Sequence, residues 1–209
     1  MQRIYTIGHS NQSLEEFMSL LHKHEVNIIV DVRSIPLCRY VLQFNQKPLS
    51  KYLQGKGVKY LYLGNELGGR RSDCINENGQ VDFGQAMHSD SFLKGVKQVN
   101  DLLYDGLQIA LMCSEANPLR CHRFSLVARY FHEHGVDVQH ILSDGKVKSH
   151  VELEREMIGQ YLRSRKYHLS EVDLLLGTYT AEEQRRDAYL LKNREIGYRP
   201  SLKTTTIYD

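Results

Sequence analysis

A short apolar run, a polar loop and an amphipathic stretch, in that order, constrain this chain more than any other feature. Residues 107–112 (Leu-Gln-Ile-Ala-Leu-Met) are nearly all apolar, as in a strand buried on both faces, and so belong in the middle of a parallel sheet. After the polar residues that follow, Asn117 can cap a helix and Pro118 suits its first position. Phe124, Val127, Ala128 and Phe131 then recur at i, i+3, i+4 and i+7, and Gly135 supplies the stop. The spacing predicts strand, loop and helix.

On that reading Arg120 and Arg123 lie one turn apart at the helix start, beside His122. The positive end of the macrodipole disfavours each cation there by roughly 0.3–1 kcal/mol, so an anion is the expected neighbour. Backbone N–H groups at a helix N-terminus favour a phosphate or carboxylate, and two guanidinium groups would strengthen such a site. The competing arrangement pairs the two arginines with Glu115 and another carboxylate.

The rest of the chain extends the pattern. Residues 3–7 read as a first strand, and Ser13 with Glu16 forms a capping box ahead of Leu14, Phe17, Met18 and Leu21. Residues 27–33 contain a second buried strand that ends on Asp31 and Arg33 and runs into Ser34-Ile-Pro36. A short helix entered at Pro48 precedes a third strand over 58–63, whose glycines at 64, 68 and 69 permit tight turns beside Arg70 and Arg71. The polar stretch 72–82 reads as surface loop, 90–104 as a helix, and 136–142 as a fifth strand near His140 before an Asp144-Gly145 turn. Five strands alternating with helices predict a three-layer α/β domain over residues 1–150, with a mostly parallel five-stranded sheet and helices on both faces. Beyond it, 151–162 and 180–196 read as helices of a C-terminal extension (151–209), with a mobile tail from Pro200.

In such a sheet the ligand crevice lies outside the carboxyl ends of the strands. The loops meeting there carry His9, Ser10 and Asn11; Asp31, Arg33 and Ser34; Arg70 and Arg71; Cys113, Glu115, Arg120, His122 and Arg123; and His140. With 27 basic and 25 acidic residues the chain lacks the strong positive charge of a general nucleic-acid binder, so any basic site is local. The N-terminus has no apolar core for export, and no run of about 18 apolar residues could cross a bilayer. The expectation is a soluble cytoplasmic protein without a membrane partner. Four scattered cysteines in a chain of this size predict free thiols.

Thr6-Ile-Gly-His-Ser-Asn11, Asp31-Val-Arg-Ser-x-Pro36, Leu67-Gly-Gly69, Met112-Cys-x-Glu115, Cys121-His-Arg123 and His140-Ile141 resemble the signature of domain-of-unknown-function family 488. The resemblance covers about the first two-thirds of the chain and implies membership without an activity. Cys38 stands where the family more often has serine.

Three chemistries fit the constellation. The first is binding, with or without hydrolysis or transfer, of a phosphate-containing ligand such as a nucleotide or a nucleic-acid end. Arg33, Arg120 and Arg123 would neutralise it, with Ser10, Asn11, Ser34, Arg70 and His140 as further ligand contacts. His9 or His122 would move protons, and Glu115 or Asp31 would orient a histidine or act as base. The second is thiol or sulfur chemistry at Cys113, though a phosphatase loop would need arginine where Leu119 stands, and Cys121 reads as a core thiol. The third is a metal held by Cys113, Cys121, His122 and His9 or His140, which is not favoured because Cys-x7-Cys-His lacks the short zinc-knuckle spacing. A non-catalytic ligand sensor is the remaining alternative. No cofactor is assigned, since neither the Walker pattern nor Gly-x-Gly-x-x-Gly occurs.

Overall fold

The fold was described from a computed structural model covering residues 2–165 and 179–200. Its centre is a six-stranded sheet in the order β3-β2-β4-β1-β5-β6, parallel except for the last pair. The strands are β1 (Arg3–Gly8), β2 (Ile28–Asp31), β3 (Lys59–Tyr62), β4 (Ile109–Cys113), β5 (Asp137–Ile141) and β6 (Val147–Ser149). Alternate residues of the central strands feed two separate cores. Ile28, Val30, Ile109 and Leu111 point to one face, and Ile29, Ala110 and Met112 to the other. Burial on both faces is why these strands read as continuous apolar runs.

Helices α1 (Leu14–Lys23) and α2 (Gln46–Gly55) cover one face with Phe17, Met18, Leu21, Leu49 and Leu53. Two short helices, α3 (Gly64–Leu67) and α4 (Phe83–Ala86), lead to α5 (Asp90–Tyr104), which covers the opposite face with Phe92, Val96, Val99 and Leu103. The Ser13–Glu16 capping box at the start of α1 is present as expected. Helix α2 begins two residues before Pro48, at Gln46.

Three expectations require correction. The Asp144-Gly145 turn does not end the sheet. Gly145 takes a positive φ of 75°, and Leu142 N–H donates to Lys146 O at 2.9 Å. The chain returns as the antiparallel strand β6, a sixth strand whose three half-buried residues are too few to show a period. Asn117 and Pro118 start only a single 3-10 turn, Pro118–Arg120, because Cys121 is extended (φ −135°, ψ 141°) and breaks the helix. The chain resumes as a π-helix, Arg123–Ala128, and continues into α6 (Arg129–Glu133). Arg120 and Arg123 therefore sit on opposite sides of a break.

The stretch 72–82 is only in part a surface loop: Ser72, Asp73 and residues 77–79 are exposed, but Cys74, Gln80 and Val81 are buried. Of the two C-terminal helices, α7 (His150–Arg165) and α8 (Ala181–Ile196), the second and the residues just after it account for this. The Gln80 amide donates to the carbonyls of Asn193, Arg194 and Gly197, and Val81 N–H donates to Tyr198 O at 2.9 Å. Leu153, Met157, Ala188 and Tyr189 form a third core with Leu119 and Phe124. The tail expected to be mobile lies, beyond Pro200, outside the described residues.

Candidate functional site

The carboxyl ends of β2 and β4 are neighbours, and the loops leaving them open a cleft of about 300 Å³. It is lined by Arg33, Ser34 and Ile35 after β2, Gly69 and Arg70, Cys113, Ser114 and Glu115 after β4, and Arg120, Cys121 and His122. Ile196 and Tyr198, from the end of α8, complete the wall.

Arg33 is set by groups behind it. Asp31 is fully buried and accepts from Arg33 Nε at 2.9 Å and Nη2 at 2.5 Å, while the Tyr60 hydroxyl donates to the same carboxylate at 2.6 Å. The third edge of the guanidinium meets His9, Nη1 to Nε2, at 3.0 Å. Because His9 Nδ1 lies 2.8 Å from Ser10 O, that nitrogen carries the proton and Nε2 accepts from Arg33. Burial, reinforced by the Arg33 charge, pushes His9 down to about 4. Burial also acts to lower the Arg33 pKa, but its hydrogen bonds and pairing with Asp31 outweigh this and raise it. His9 and Asp31 thus position Arg33 and do not line the cleft.

The β1 loop reaches this place by continuing alongside β4. His9 N–H donates to Cys113 O at 3.0 Å and Ser10 N–H to Ser114 O at 2.8 Å. Only glycine fits at position 8, where a Cβ would lie 1.9 Å from Glu115 O.

His122 and two thiols form the floor. His122 Nε2 lies 2.9 Å from Val32 O, which can only accept, so Nε2 is protonated and Nδ1 presents a lone pair. That Nδ1 lies 3.8 Å from Cys113 Sγ and 3.9 Å from Cys121 Sγ. Cys121, read from the sequence as a core thiol, is buried but also lines the cleft. Its Sγ accepts the Arg123 backbone N–H at 3.5 Å. Burial opposes its ionisation, yet the Cys113 hydrogen bond and the charge of Arg123 hold Cys121 well below the usual thiol range. Donating to Cys121, together with burial, raises Cys113.

The expected anion contacts separate into distinct groups. Arg70 and Arg120 are exposed on the cleft wall, and neither forms an ion pair among the described residues. The Arg70 N–H donates to Ser34 Oγ at 2.9 Å, and its guanidinium lies 5.0 Å from the centre of the Tyr198 ring. Arg123 is fully buried and does not line the cleft. Its guanidinium donates to Glu115 O and, at 3.1 Å, to Ala116 O, tying the β4 loop to the helix. Glu115 itself is exposed and is among the residues lining the cleft.

His140 is elsewhere as well, fully buried in a relay. The Tyr189 hydroxyl donates to Glu154 at 2.8 Å and accepts from His150 Nε2 at 3.0 Å, so His150 Nδ1 accepts from His140 Nε2 at 3.2 Å. His140 Nδ1 then accepts from the Thr6 hydroxyl at 2.8 Å. Burial lowers both histidines, His150 to about 3. Asn11 lines a different groove with Glu16 and Asp144, and Ser10 lies 3.3 Å from it, Oγ to Oδ1. Sequence reading missed Ile196 and Tyr198, which come from a distant helix and carry no local signal.

Residues 13–130 match the family described as Domain of unknown function DUF488, more than half of the 209-residue chain. The chain belongs to the DUF488 family. Within this DUF488 chain the matched span holds Arg33, Arg70, Cys113, Glu115, Arg120, Cys121 and His122, whereas the 6–11 and 140–141 segments lie outside it. No curated protein and no solved structure matches the chain. Among the described residues no helix is long and apolar enough to cross a membrane.

Proposed function

We propose that the cleft binds a phosphate-bearing ligand, a nucleotide or the phosphorylated end of a nucleic acid. The observation that carries this reading is the pair Arg70 and Arg120, lining one cleft beside Arg33 without ion pairs among the described residues. The Arg33 charge is met by Asp31, so the outer arginines are the groups that gain by an incoming anion. A volume of about 300 Å³ suits a mononucleotide-sized group. Ile35, Ile196 and Tyr198 offer an apolar wall on which a base can pack. Glu115, which lines the cleft, supplies a carboxylate, a group that a hydrolysis or transfer step would use.

The test is calorimetric titration with inorganic phosphate, a nucleoside monophosphate and a 5′-phosphorylated oligonucleotide, each against its unphosphorylated counterpart where one exists. The Arg70→Ala/Arg120→Ala variant is expected to bind at least about tenfold more weakly with an unchanged melting temperature. Equal affinity for phosphorylated and unphosphorylated forms, or an unchanged affinity in that variant, would overturn the reading.

A further inference from the structure

We propose that Cys113, Cys121 and His122 bind one zinc ion at the floor of the cleft. The ligand atoms of these three side chains all lie within 4.8 Å of one another, and the two sulfurs stand 3.8 and 3.9 Å from the imidazole Nδ1. Tetrahedral zinc, with Zn–S of about 2.3 Å and Zn–N of about 2.0–2.1 Å, sets sulfur and nitrogen about 3.5 Å apart. The two sulfur–nitrogen distances need to close by about 0.3–0.4 Å, and the sulfur–sulfur distance, which is within 4.8 Å, to about 3.8 Å, to bring all three donors to one centre. Sequence spacing argued against this site only because a knuckle supplies both cysteines from one turn. Here β4 brings one thiol and the broken helix start brings the other.

Two features orient the imidazole for the task. The Nε2–H bond to Val32 O at 2.9 Å fixes the tautomer with the Nδ1 lone pair toward the thiols, the role that backbone carbonyls play behind metal-bound histidines. On the other side of the ring Gly69 gives the space: a Cβ there would lie 2.8 Å from His122 Cγ. Two sulfurs and one imidazole suit zinc and disfavour magnesium or calcium, which take oxygen ligands. All three residues are among those lining the cleft, and the proposal places the fourth position on that side. Three protein ligands with one open position is the pattern of zinc sites that hold a water or a substrate oxygen.

The inference does not depend on the phosphate reading, because metal content is measured without any anion. The full chain is purified with a phosphine reductant and no chelator, equilibrated with zinc, desalted, and its metal read by plasma mass spectrometry. The expected result is about one zinc per chain, and for cobalt the intense visible bands and thiolate charge transfer of a tetrahedral site. Cys113→Ser, Cys121→Ser and His122→Asn are expected to lose the metal on desalting, while Cys38→Ser and Cys74→Ser keep it. Should those variants unfold, the unaltered protein still decides. Zinc is expected to protect Cys113 and Cys121 from iodoacetamide while leaving Cys38 reactive, as read by peptide mass. Absence of stoichiometric metal with all thiols reduced, or full retention in Cys121→Ser, would overturn the proposal. So would a Cys113–Cys121 disulfide whose formation zinc does not slow, which would assign the pair to thiol redox chemistry.

Discussion

Replacing Arg123 separates a structural guanidinium from those proposed to bind a phosphate. In Arg123→Met the aliphatic stem still packs, but the hydrogen bonds to Glu115 O and Ala116 O are lost. Bonds from a charged donor contribute about 1.5–3 kcal/mol each, so two amount to about 3–6 kcal/mol. Against this, Arg123 Nε is buried with no partner among the described residues, and removing that charge returns about 1–2 kcal/mol. The net loss is about 3 kcal/mol. For a domain of this size that lowers the melting temperature by about 6–12 °C. Thermal and urea unfolding followed by circular dichroism measure it, with Arg120→Ala as the comparison, expected within about 0.5 kcal/mol of the parent. An Arg123→Met protein as stable as the parent would refute the latch, and a loss of phosphate affinity in a fully stable Arg123→Met would return this residue to the ligand site.

Buried ionisable and close-packed groups have consequences of their own. His9 and His150 titrate at about 4 and about 3 in the folded chain, against 6.5 ordinarily. Below pH 6.5 the unfolded chain takes up protons that the folded one refuses, so stability is unaffected above that pH and falls as pH drops toward these values; His9 alone accounts for roughly 3 kcal/mol, and His9→Gln is expected to flatten the fall in urea-unfolding free energy measured from pH 7 to 4. Asp31→Asn strips the carboxylate from a buried Arg33 and is expected to cost about 3–5 kcal/mol in the same measurement, whereas Tyr60→Phe costs about 1–2. Gly8→Ala forces the β1 and β4 loops apart at Glu115 O, and a melting temperature unchanged by it would contradict their close contact.

The parts of the fold that could be read from the sequence are those where one local pattern sufficed. Strand β4 is an uninterrupted apolar run, β2 is one up to Asp31, and Ser13 with Glu16 announces α1. Reading failed where a residue's role depended on partners far along the chain. Arg123 reads as an anion ligand when its position is counted along an unbroken helix from Pro118; the extended Cys121 resets that count, and the apolar spacing of Phe124, Val127, Ala128 and Phe131 shows neither the break nor the π-helical turn. His9 and Asp31 were placed near the right loops, but whether such a group lines a cleft or supports the residue that does depends on depth, which spacing does not encode. The contributions of Ile196 and Tyr198 depend on how α8 packs against 80–83, a contact more than 110 residues apart in sequence.

The phosphate site proposed between the β2 and β4 loops is open to a crystallographic test, with crystals of the protein soaked in a nucleoside monophosphate. Phosphate density is expected in contact with the Arg70 and Arg120 guanidinium groups, with the base against Tyr198. Density for the phosphate at any other surface, with the cleft holding only solvent at saturating ligand, would contradict it.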